Sequence, residues 1–216
     1  MTSFVSAAVE SYLEKVTPER DATLAEMEAL AAAGNFPIVG PLVGRLLYVV
    51  ARSLGARRVV ELGSGFGYSA IWFARAVGET GRVTCIEGSA ENGRRARRFL
   101  ERAGLAERVD WKQGDALEIL PGLAGSFDIV FNDIDKADYP KVLEPARQAL
   151  RPGGLLITDN LLWFGKVAEP DPDASTRGIQ EFTRALYAAP DFFTSIVPLR
   201  DGVGLSIKSD AGAAAP

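Results

Sequence analysis

The sequence predicts an α/β fold in which a mostly parallel sheet is covered by helices on both faces. The first observation is that short apolar runs alternate with segments of helical composition between residues 58 and 158. Such alternation is typical of parallel strands, because each pair needs a crossover connection. The second is that two further apolar runs, at 192–198 and 202–207, are joined by Arg200-Asp201-Gly202. This turn signal predicts a closing hairpin.

Residues 1–55 are predicted to form a helical prelude with helices at 2–16, 18–33 and 42–54. The second helix has a candidate N-cap at Thr17, a proline at its first position, Pro18, and an early acid, Glu19. The core at 56–208 then contains predicted strands at 58–62, 82–87, 109–112, 127–131 and 155–158. Five helices are predicted in this core. The first begins after Gly67, and the others lie at 90–103, near 117, at 140–150 and at 176–187. No linker divides the chain, so 1–208 is predicted as one domain, followed by a disordered tail at 209–216.

The composition limits the chemistry and the partners. With 216 residues, 47% hydrophobic, the chain suits one globular domain that buries roughly 70% of its unfolded surface. A net charge of −4 gives no footprint for nucleic acid. The chain has no histidine, which excludes histidine-based triads, zinc sites and acid–base chemistry. A single cysteine and the lack of a long apolar run predict a cytoplasmic protein without disulfide or membrane span.

A glycine turn follows the first predicted strand. The segment 59–69 reads V-V-E-L-G-S-G-F-G-Y-S, with glycines at Gly63, Gly65 and Gly67. Glycine allows a sharp reversal and close approach of a ligand to the backbone. The spacing differs from the dinucleotide pattern G-x-G-x-x-G, because Tyr68 stands where its third glycine would fall. A tight turn that binds no ligand remains an alternative.

Polar residues end the next predicted strands. Glu87 could accept hydrogen bonds from both ribose hydroxyls of an adenosine, and Asp115 could meet an adenine amino group. Each is also a reasonable helix N-cap. Asp133, Asp159 and Asn160 follow the fourth and fifth strands and form an all-oxygen set. Such a set suits Mg²⁺, Ca²⁺ or Mn²⁺, although turn and capping roles are the alternative.

Taken together, these segments resemble a known family. The glycine turn is followed in order by C-I-E, G-D-A, F-N-D-I-D-K-A-D-Y, T-D-N-L-L-W and L-R-D-G-V. This order is similar to that of the cation-dependent O-methyltransferases of the catechol and caffeoyl-CoA type. The resemblance covers residues 17–208. It implies a Rossmann-like class I methyltransferase with seven strands in the order 3-2-1-4-5-7-6 and strand 7 antiparallel.

The resemblance also implies roles for individual residues. Lys136 would be the general base, Trp163 would border the acceptor pocket, and Val39 and Ser69 would hold the methionine portion of S-adenosylmethionine (SAM). The metal ligands would be Asp133, Asp159 and Asn160. The residues implied in cofactor binding are Val39, Glu61, Gly63, Ser64, Gly65, Gly67, Tyr68, Ser69, Glu87, Asp115, Ala116 and Asp133.

The resulting prediction is a SAM-dependent O-methyltransferase that methylates one hydroxyl of a catechol-like small molecule or its CoA ester and uses a divalent cation, with Mg²⁺ favoured. By analogy with related enzymes, a homodimer is expected. Four departures from the family pattern leave the acceptor open: Asn132, Ile134, Phe164 and Ser195. The alternatives are a methyltransferase for a non-catechol oxygen or a nitrogen with a structural or absent metal, a nucleotide-binding oxidoreductase, and a SAM-binding module without activity.

Overall fold

The computed structural model describes residues 6–209, and seven strands within them form one sheet. The strands are β1 (Arg58–Leu62), β2 (Arg82–Glu87), β3 (Val109–Gln113), β4 (Phe127–Asn132), β5 (Leu150–Thr158), β6 (Phe192–Val197) and β7 (Val203–Lys208). Their order is β3-β2-β1-β4-β5-β7-β6. β7 is antiparallel to β5 and β6, and the other neighbours are parallel. The predicted sheet, strand order and closing hairpin are confirmed.

Helices precede the sheet and alternate with its strands. They are α1 (Ala7–Val16), α2 (Ala22–Gly34), α3 (Gly40–Ser53), α4 (Tyr68–Ala76), α5 (Ala90–Arg102), α6 (Ala116–Ile119), α7 (Leu143–Ala149) and α8 (Ala174–Ala188). Across residues 6–209, every helix is too short or too polar to cross a membrane. The predicted disorder at 210–216 and the predicted helical start at 2–5 lie outside the described residues.

The sheet separates two apolar layers. Successive strand residues point to opposite faces, so Val59 and Ile129 pack in one layer while Val60 and Val130 pack in the other. The first layer includes α3, α4 and α5, and the second includes α7 and α8. Because both faces are covered, the central strands are apolar at nearly every position, as parallel strands require. The sheet therefore presents its polar residues at strand ends.

The second helix starts later than predicted. Helix α2 begins at Ala22, and its N-cap is Asp21, whose carboxylate accepts hydrogen bonds from the amides of Thr23 at 3.1 Å and Leu24 at 3.3 Å. Thr17 instead ends α1, because its amide donates to the Leu13 carbonyl at 3.1 Å. A charged cap interacts more favourably with the helix dipole than a hydroxyl does. The prediction of Thr17 as the cap of the second helix was wrong, because Thr17 belongs to the end of α1.

The region between β4 and β5 also differs from the prediction. The single helix predicted at 140–150 is a 3-10 turn at Lys136–Lys141 followed by the short helix α7. Pro140 lies inside the turn and lacks an amide hydrogen to donate. Strand β5 begins at Leu150 rather than 155, since Leu150 already pairs with Phe127 across an irregular register. These shifts leave the polar ends of both strands at the predicted edge.

Candidate active site

A cavity of about 520 Å³ opens at the carboxyl ends of the parallel strands. This is the edge at which such sheets bind ligands, and the volume is within the usual range for small-molecule sites. Most of the predicted site residues line it: Val39, Gly63, Ser64, Gly65, Tyr68, Ser69, Glu87, Asp133, Lys136, Asp159, Asn160 and Trp163. Four predicted cofactor residues do not line it: Glu61, Gly67, Asp115 and Ala116.

The glycine turn forms one wall of the cavity. Gly63, Gly65 and Gly67 have φ values of 80°, 50° and 89°, in the left-handed region that side chains disfavour. A Cβ at Gly63 would lie 2.5 Å from the backbone oxygen of Asp133. The glycine therefore lets the loop after β1 touch the loop after β4, which joins the two halves of the cavity.

Glu87 is fixed at the end of β2 by three donors. Its carboxylate accepts hydrogen bonds from the amides of Gly65 and Ser89, both at 2.8 Å, and from the Asn92 side chain at 3.3 Å. The N-cap of α5 is Ser89, so the alternative capping role of Glu87 is wrong. Asn92 also lines the cavity and was missed by the sequence reasoning. Its position in the first turn of a helix that follows Glu87 is the signal that could have found it.

Asp115 takes its alternative role as a helix cap. Its carboxylate accepts a hydrogen bond from the Leu117 amide at 2.7 Å and stands exposed at the start of α6. Neither Asp115 nor its neighbour Ala116 borders the cavity. Their adenine-binding role remains a prediction that this arrangement does not support directly.

Glu61 lies beneath the glycine turn, fully buried. The Cys85 thiol donates to its carboxylate at 3.3 Å. Burial raises the pKa of Glu61 to about 7, although the hydroxyls of Ser69 and Ser64 lower it in part. A buried acid in this position holds the turn from below, and its carboxylate does not face the cavity.

Tyr68 connects the glycine turn to the helical prelude. Its hydroxyl donates to Glu28 of α2 at 2.7 Å, and Arg20 donates to the same carboxylate with Nη2 at 2.6 Å. Burial is the main reason that the pKa of Tyr68 is raised. The hydroxyl is therefore engaged by α2, while the ring borders the cavity.

The opposite wall carries Lys136 and two acids. Lys136 Nζ donates to Asp133 Oδ1 at 2.7 Å and to the Ile134 carbonyl at 3.2 Å, and it lies 5.9 Å from the ring centre of Trp163. Burial raises the pKa of Asp159 to about 7, and the negative charge of Asp133 adds to this effect. Burial raises the pKa of Asp133 as well, while Lys136 opposes the shift. The two acids thus share a site with the positive charges of Lys136 and Arg200, which oppose the effect of burial on both pKa values.

The donors at this wall suit a hard cation. Asn160 Nδ2 donates to Asp201 at 3.3 Å, which leaves the amide oxygen of Asn160 for a ligand in the cavity. Two carboxylates and one amide oxygen are ligands of the kind that Mg²⁺, Ca²⁺ and Mn²⁺ take. Within residues 6–209 there is no cluster of three or more Cys, Asp or Glu side chains that could hold a metal. A cation here would need water or substrate oxygens to complete its shell.

Comparison with known proteins decides the family. Residues 7–209 match the sequence model of a family described as O-methyltransferase. The chain belongs to this O-methyltransferase family. It is 34% identical to a catechol O-methyltransferase of Niastella koreensis, over 96% of this chain and 99% of that one. It is 31% identical to caffeoyl-CoA O-methyltransferase 1 of Eucalyptus globulus, over 75% of this chain and 71% of that one.

A solved structure supports the same assignment. The O-methyltransferase of Bacillus cereus in complex with SAH, the demethylated form of SAM, has a TM-score of 0.85 and 33% identity, and the match covers 94% of this chain and 97% of that one. The protein is a SAM-dependent O-methyltransferase of the catechol and caffeoyl-CoA type.

Two residues to which the sequence analysis gave no role of their own support the wall that carries Lys136. The Tyr139 hydroxyl donates to the Asp159 carbonyl at 2.9 Å and so joins the loops after β4 and β5. Gly178 of α8 packs directly on the backbone of Lys136, and a Cβ at Gly178 would overlap the Lys136 carbonyl. The glycine in a helical pattern was the available signal, but only the packing explains it.

The four departures from the family pattern fall into two groups. Ile134 and Phe164 line the cavity of the O-methyltransferase. Asn132 is fully buried inside the sheet opposite Thr158, and Ser195 lies in β6; neither borders the cavity. Differences in the acceptor are therefore expected to arise at Ile134 and Phe164.

Proposed function

We propose that this enzyme transfers the methyl group of SAM to one hydroxyl of a vicinal dihydroxy phenol, or of its CoA ester, with the help of a divalent cation. The observation that carries the proposal is that Lys136, Asp133, Asp159 and Asn160 share one cavity with the glycine turn. A methyl donor and a phenolic acceptor could thus meet between two walls of the same site. The names of the catechol and caffeoyl-CoA relatives support this acceptor class.

The wall formed by the glycine turn and its neighbours, called the cofactor wall below, is suited to SAM. The carboxylate of Glu87 has accepting capacity beyond its three protein donors, so it can take a ribose hydroxyl. Val39 and Ser69 are buried beside the turn, where the methionine portion would lie. The Ser64 hydroxyl also lies at this wall, next to the buried Glu61.

The opposite wall, which carries Lys136, Asp133 and Asp159 and is called the acceptor wall below, is suited to a cation. A divalent ion held by Asp133, Asp159 and Asn160, with Mg²⁺ the first choice and Ca²⁺ or Mn²⁺ as alternatives, would supply Lewis acidity that lowers the pKa of a bound hydroxyl. Two buried carboxylates with raised pKa values gain stability from an added positive charge. By holding the cation, Asp133, Asp159 and Asn160 would keep the hydroxyl that binds it at this wall and so orient the acceptor.

Lys136 and Trp163 act on the acceptor directly in this proposal. The lysine amine, held next to Asp133, takes the proton of the attacking hydroxyl. The oxyanion then forms a bond to the methyl carbon of SAM while the methyl–sulfur bond breaks, and SAH leaves. The Trp163 ring borders the pocket in which the acceptor would lie. Positioning of both reactants in one cleft can supply about 7–11 kcal/mol of the barrier.

The proposal is tested by methyl transfer from SAM to caffeic acid, caffeoyl-CoA and simple catechols, with Mg²⁺ and again with excess chelator. Matched phenols that carry one hydroxyl are the control. We expect methylation of one vicinal hydroxyl only in the presence of metal. SAM binding without methylation of any catechol would contradict the acceptor class.

A second candidate is methylation of a non-catechol oxygen or of a nitrogen, with a structural or absent metal. It is favoured by the ion pair in which Lys136 already compensates Asp133, since a lysine can replace a cation as counter-charge. Activity that survives full chelation would favour this candidate. The same assay panel therefore separates the two.

The predicted homodimer is carried as part of the proposal. Helix α1 exposes Val9, Tyr12 and Val16 at 45%, 62% and 53%, which is unusual for apolar side chains on one helix. Light scattering of the purified enzyme tests the expectation: a mass of twice the chain supports it and a monomer contradicts it.

A further inference from the structure

The turn between β6 and β7 touches both walls of the cavity. Asp201 in this turn is buried, with 6% of its surface exposed. One carboxylate oxygen accepts a hydrogen bond from the backbone amide of Phe164, and the other accepts one from Asn160 Nδ2 at 3.3 Å. The amide of Leu162 also donates to the Asp201 carbonyl at 2.9 Å. Both oxygens of Asp201 are therefore used to hold the loop after β5.

This loop has a backbone that needs outside support. Asn160, Trp163 and Phe164 have φ values of 61°, 43° and 54°, where residues with side chains are disfavoured. Such conformations persist only when the surrounding contacts impose them. Gly202 allows the turn to approach, because a Cβ there would lie 2.8 Å from the Leu162 amide nitrogen. The contacts from Asp201 are the polar part of that support.

The carboxylate of Asp201 also determines the orientation of the Asn160 amide. An ionised carboxylate only accepts hydrogen bonds, so the nitrogen of Asn160 must face Asp201. The oxygen of Asn160 is then the atom left for the cavity. An oxygen can ligate a cation, whereas an amide nitrogen cannot do so in its ordinary state.

The neighbouring residue holds the other wall. Arg200 Nη1 donates to the Ile38 carbonyl at 2.8 Å and to the Val39 carbonyl. Ile38 and Val39 line the cavity beside the glycine turn. Arg200 itself has a φ of 49°, so its backbone adopts a disfavoured conformation to place this side chain. Two successive residues of one turn thus hold opposite walls.

We propose that Asp201 and Arg200 are positioning residues with separate tasks: Asp201 presents the Asn160 oxygen to the cation, and Arg200 holds the Ile38–Val39 segment against SAM. The first task rests on the proposed metal site. The second rests only on SAM binding, which the family assignment supports independently. The two tasks can therefore be tested one without the other.

Asp201→Asn tests the first task, with the Kd of Mn²⁺ measured by titration on the intact enzyme. The oxygen of the new amide would still accept from the Phe164 amide, so its nitrogen would face the nitrogen of Asn160. Asn160 should then rotate so that its nitrogen, rather than its oxygen, faces the cavity. We expect the Mn²⁺ Kd to rise about 10–100-fold, the usual effect of losing a group that orients a metal ligand. The Kd of SAH should stay within about twofold, a difference of roughly 0.4 kcal/mol.

A compensating pair separates orientation from charge. In the double variant Asn160→Asp with Asp201→Asn, the total charge is unchanged. The amide introduced at position 201 can then donate to the carboxylate introduced at position 160 while it accepts from the Phe164 amide. Mn²⁺ binding should recover most of its strength.

The matched control is Asp135→Asn, which removes a charge from the same cavity. It should change the Mn²⁺ Kd much less than Asp201→Asn does, because Asp135 orients no proposed metal ligand. Equal losses in these two single variants, or no recovery in the double variant, would overturn the role of Asp201.

Arg200→Gly tests the second task without backbone strain, because glycine tolerates the left-handed conformation. We expect the Kd of SAH to rise about tenfold, as the loss of charged hydrogen bonds commonly causes. The Mn²⁺ Kd should not rise, because the positive charge that is removed acts on Asp133 and Asp159 with the same sign as the cation. An unchanged SAH Kd would overturn the role of Arg200. The metal site itself is tested by comparing the wild type with Asp159→Asn. If the wild type binds no Mn²⁺, or if Asp159→Asn binds it equally well, the proposed metal site fails and the role of Asp201 fails with it. The SAH result still decides the role of Arg200.

Discussion

The two walls of the cavity reach unusual backbone conformations by different means. On the cofactor wall, the left-handed residues are glycines, Gly63, Gly65 and Gly67, for which this conformation costs little. On the acceptor wall, they include Asn160, Trp163 and Phe164, for which the cost is larger. The glycine turn of the cofactor wall is therefore shaped by its own sequence, whereas the loop after β5 on the acceptor wall depends on contacts from distant elements.

This difference has a functional meaning. A cofactor that is the same in every turnover suits a wall whose shape is intrinsic to the chain. An acceptor pocket held by contacts from Asp201, Tyr139 and Gly178 can be altered by changes far along the sequence. Substitutions should therefore affect the two walls separately, and three of the following variants test this separation. A fourth, away from both walls, should change stability alone.

The largest effect is expected from Lys136→Ala, which removes the proposed base from the acceptor wall. kcat should fall about 10²–10⁴-fold, the usual contribution of a general base, while SAH binding stays nearly unchanged. Lys141→Ala, on the same turn but exposed and paired with Asp138, is the control. Steady-state kinetics and calorimetry measure both. A Lys136 variant with near-normal kcat would remove the lysine from the mechanism.

Gly178→Ala should damage the acceptor wall from behind. The added methyl group would overlap the Lys136 carbonyl and displace the lysine, which can cost up to about 10²-fold in kcat. The SAH Kd should change little. Gly34→Ala is the control, because its methyl group would meet nothing within 4 Å. Equal activity of the two variants would show that the α8 contact does not position Lys136.

Gly65→Ala should damage the cofactor wall instead. Alanine disfavours the φ of 50° at this position, so the turn should shift and weaken the hydrogen bond to Glu87. We expect the Kd of SAH to rise roughly tenfold, or about 1.4 kcal/mol. Gly55→Ala imposes a similar conformational cost in open space away from the cavity. Calorimetry should show a loss of SAH affinity only for Gly65→Ala.

The smallest effect is expected from Asp128→Asn, at the opposite edge of the sheet. Asp128 accepts hydrogen bonds from the amides of Arg57 and Arg58 at 2.8 Å and pairs with Arg151. Although burial opposes the shift, these partners hold the pKa of Asp128 below its usual value. Its stabilisation, on the order of 1 kcal/mol, is present above the unfolded pKa and disappears as the pH falls through the folded pKa.

Unfolding of wild type and Asp128→Asn in urea measures this contribution. The difference in the free energy of unfolding should be full at neutral pH and should shrink below about pH 4. Methyl transfer at neutral pH should remain normal in the variant, because neither wall depends on Asp128. A difference that persists at low pH would mean that the carboxylate charge is not the source of the stabilisation.

The sheet and the cofactor wall were largely predictable because their signals are local. Strand periodicity and the spacing of Gly63, Gly65 and Gly67 act within a few residues. The roles of Asp201, Arg200 and Gly178 were not predictable, since each acts on a segment far away in the sequence. The start of α2 was missed for a smaller reason: Thr17 and Asp21 both suit an N-cap, and Thr17 ends α1 while Asp21 caps α2.

The link from Tyr68 to Glu28 limits how the chain can be shortened. Helix α2 supplies the carboxylate that receives the Tyr68 hydroxyl, and Arg20, just before the helix, pairs with that carboxylate. A truncated enzyme that begins after Gly34 would lose the acceptor of the Tyr68 hydroxyl and would expose the apolar core against which Leu24 and Met27 pack. A shortened variant for crystallisation or fusion should therefore retain Arg20 and all of α2.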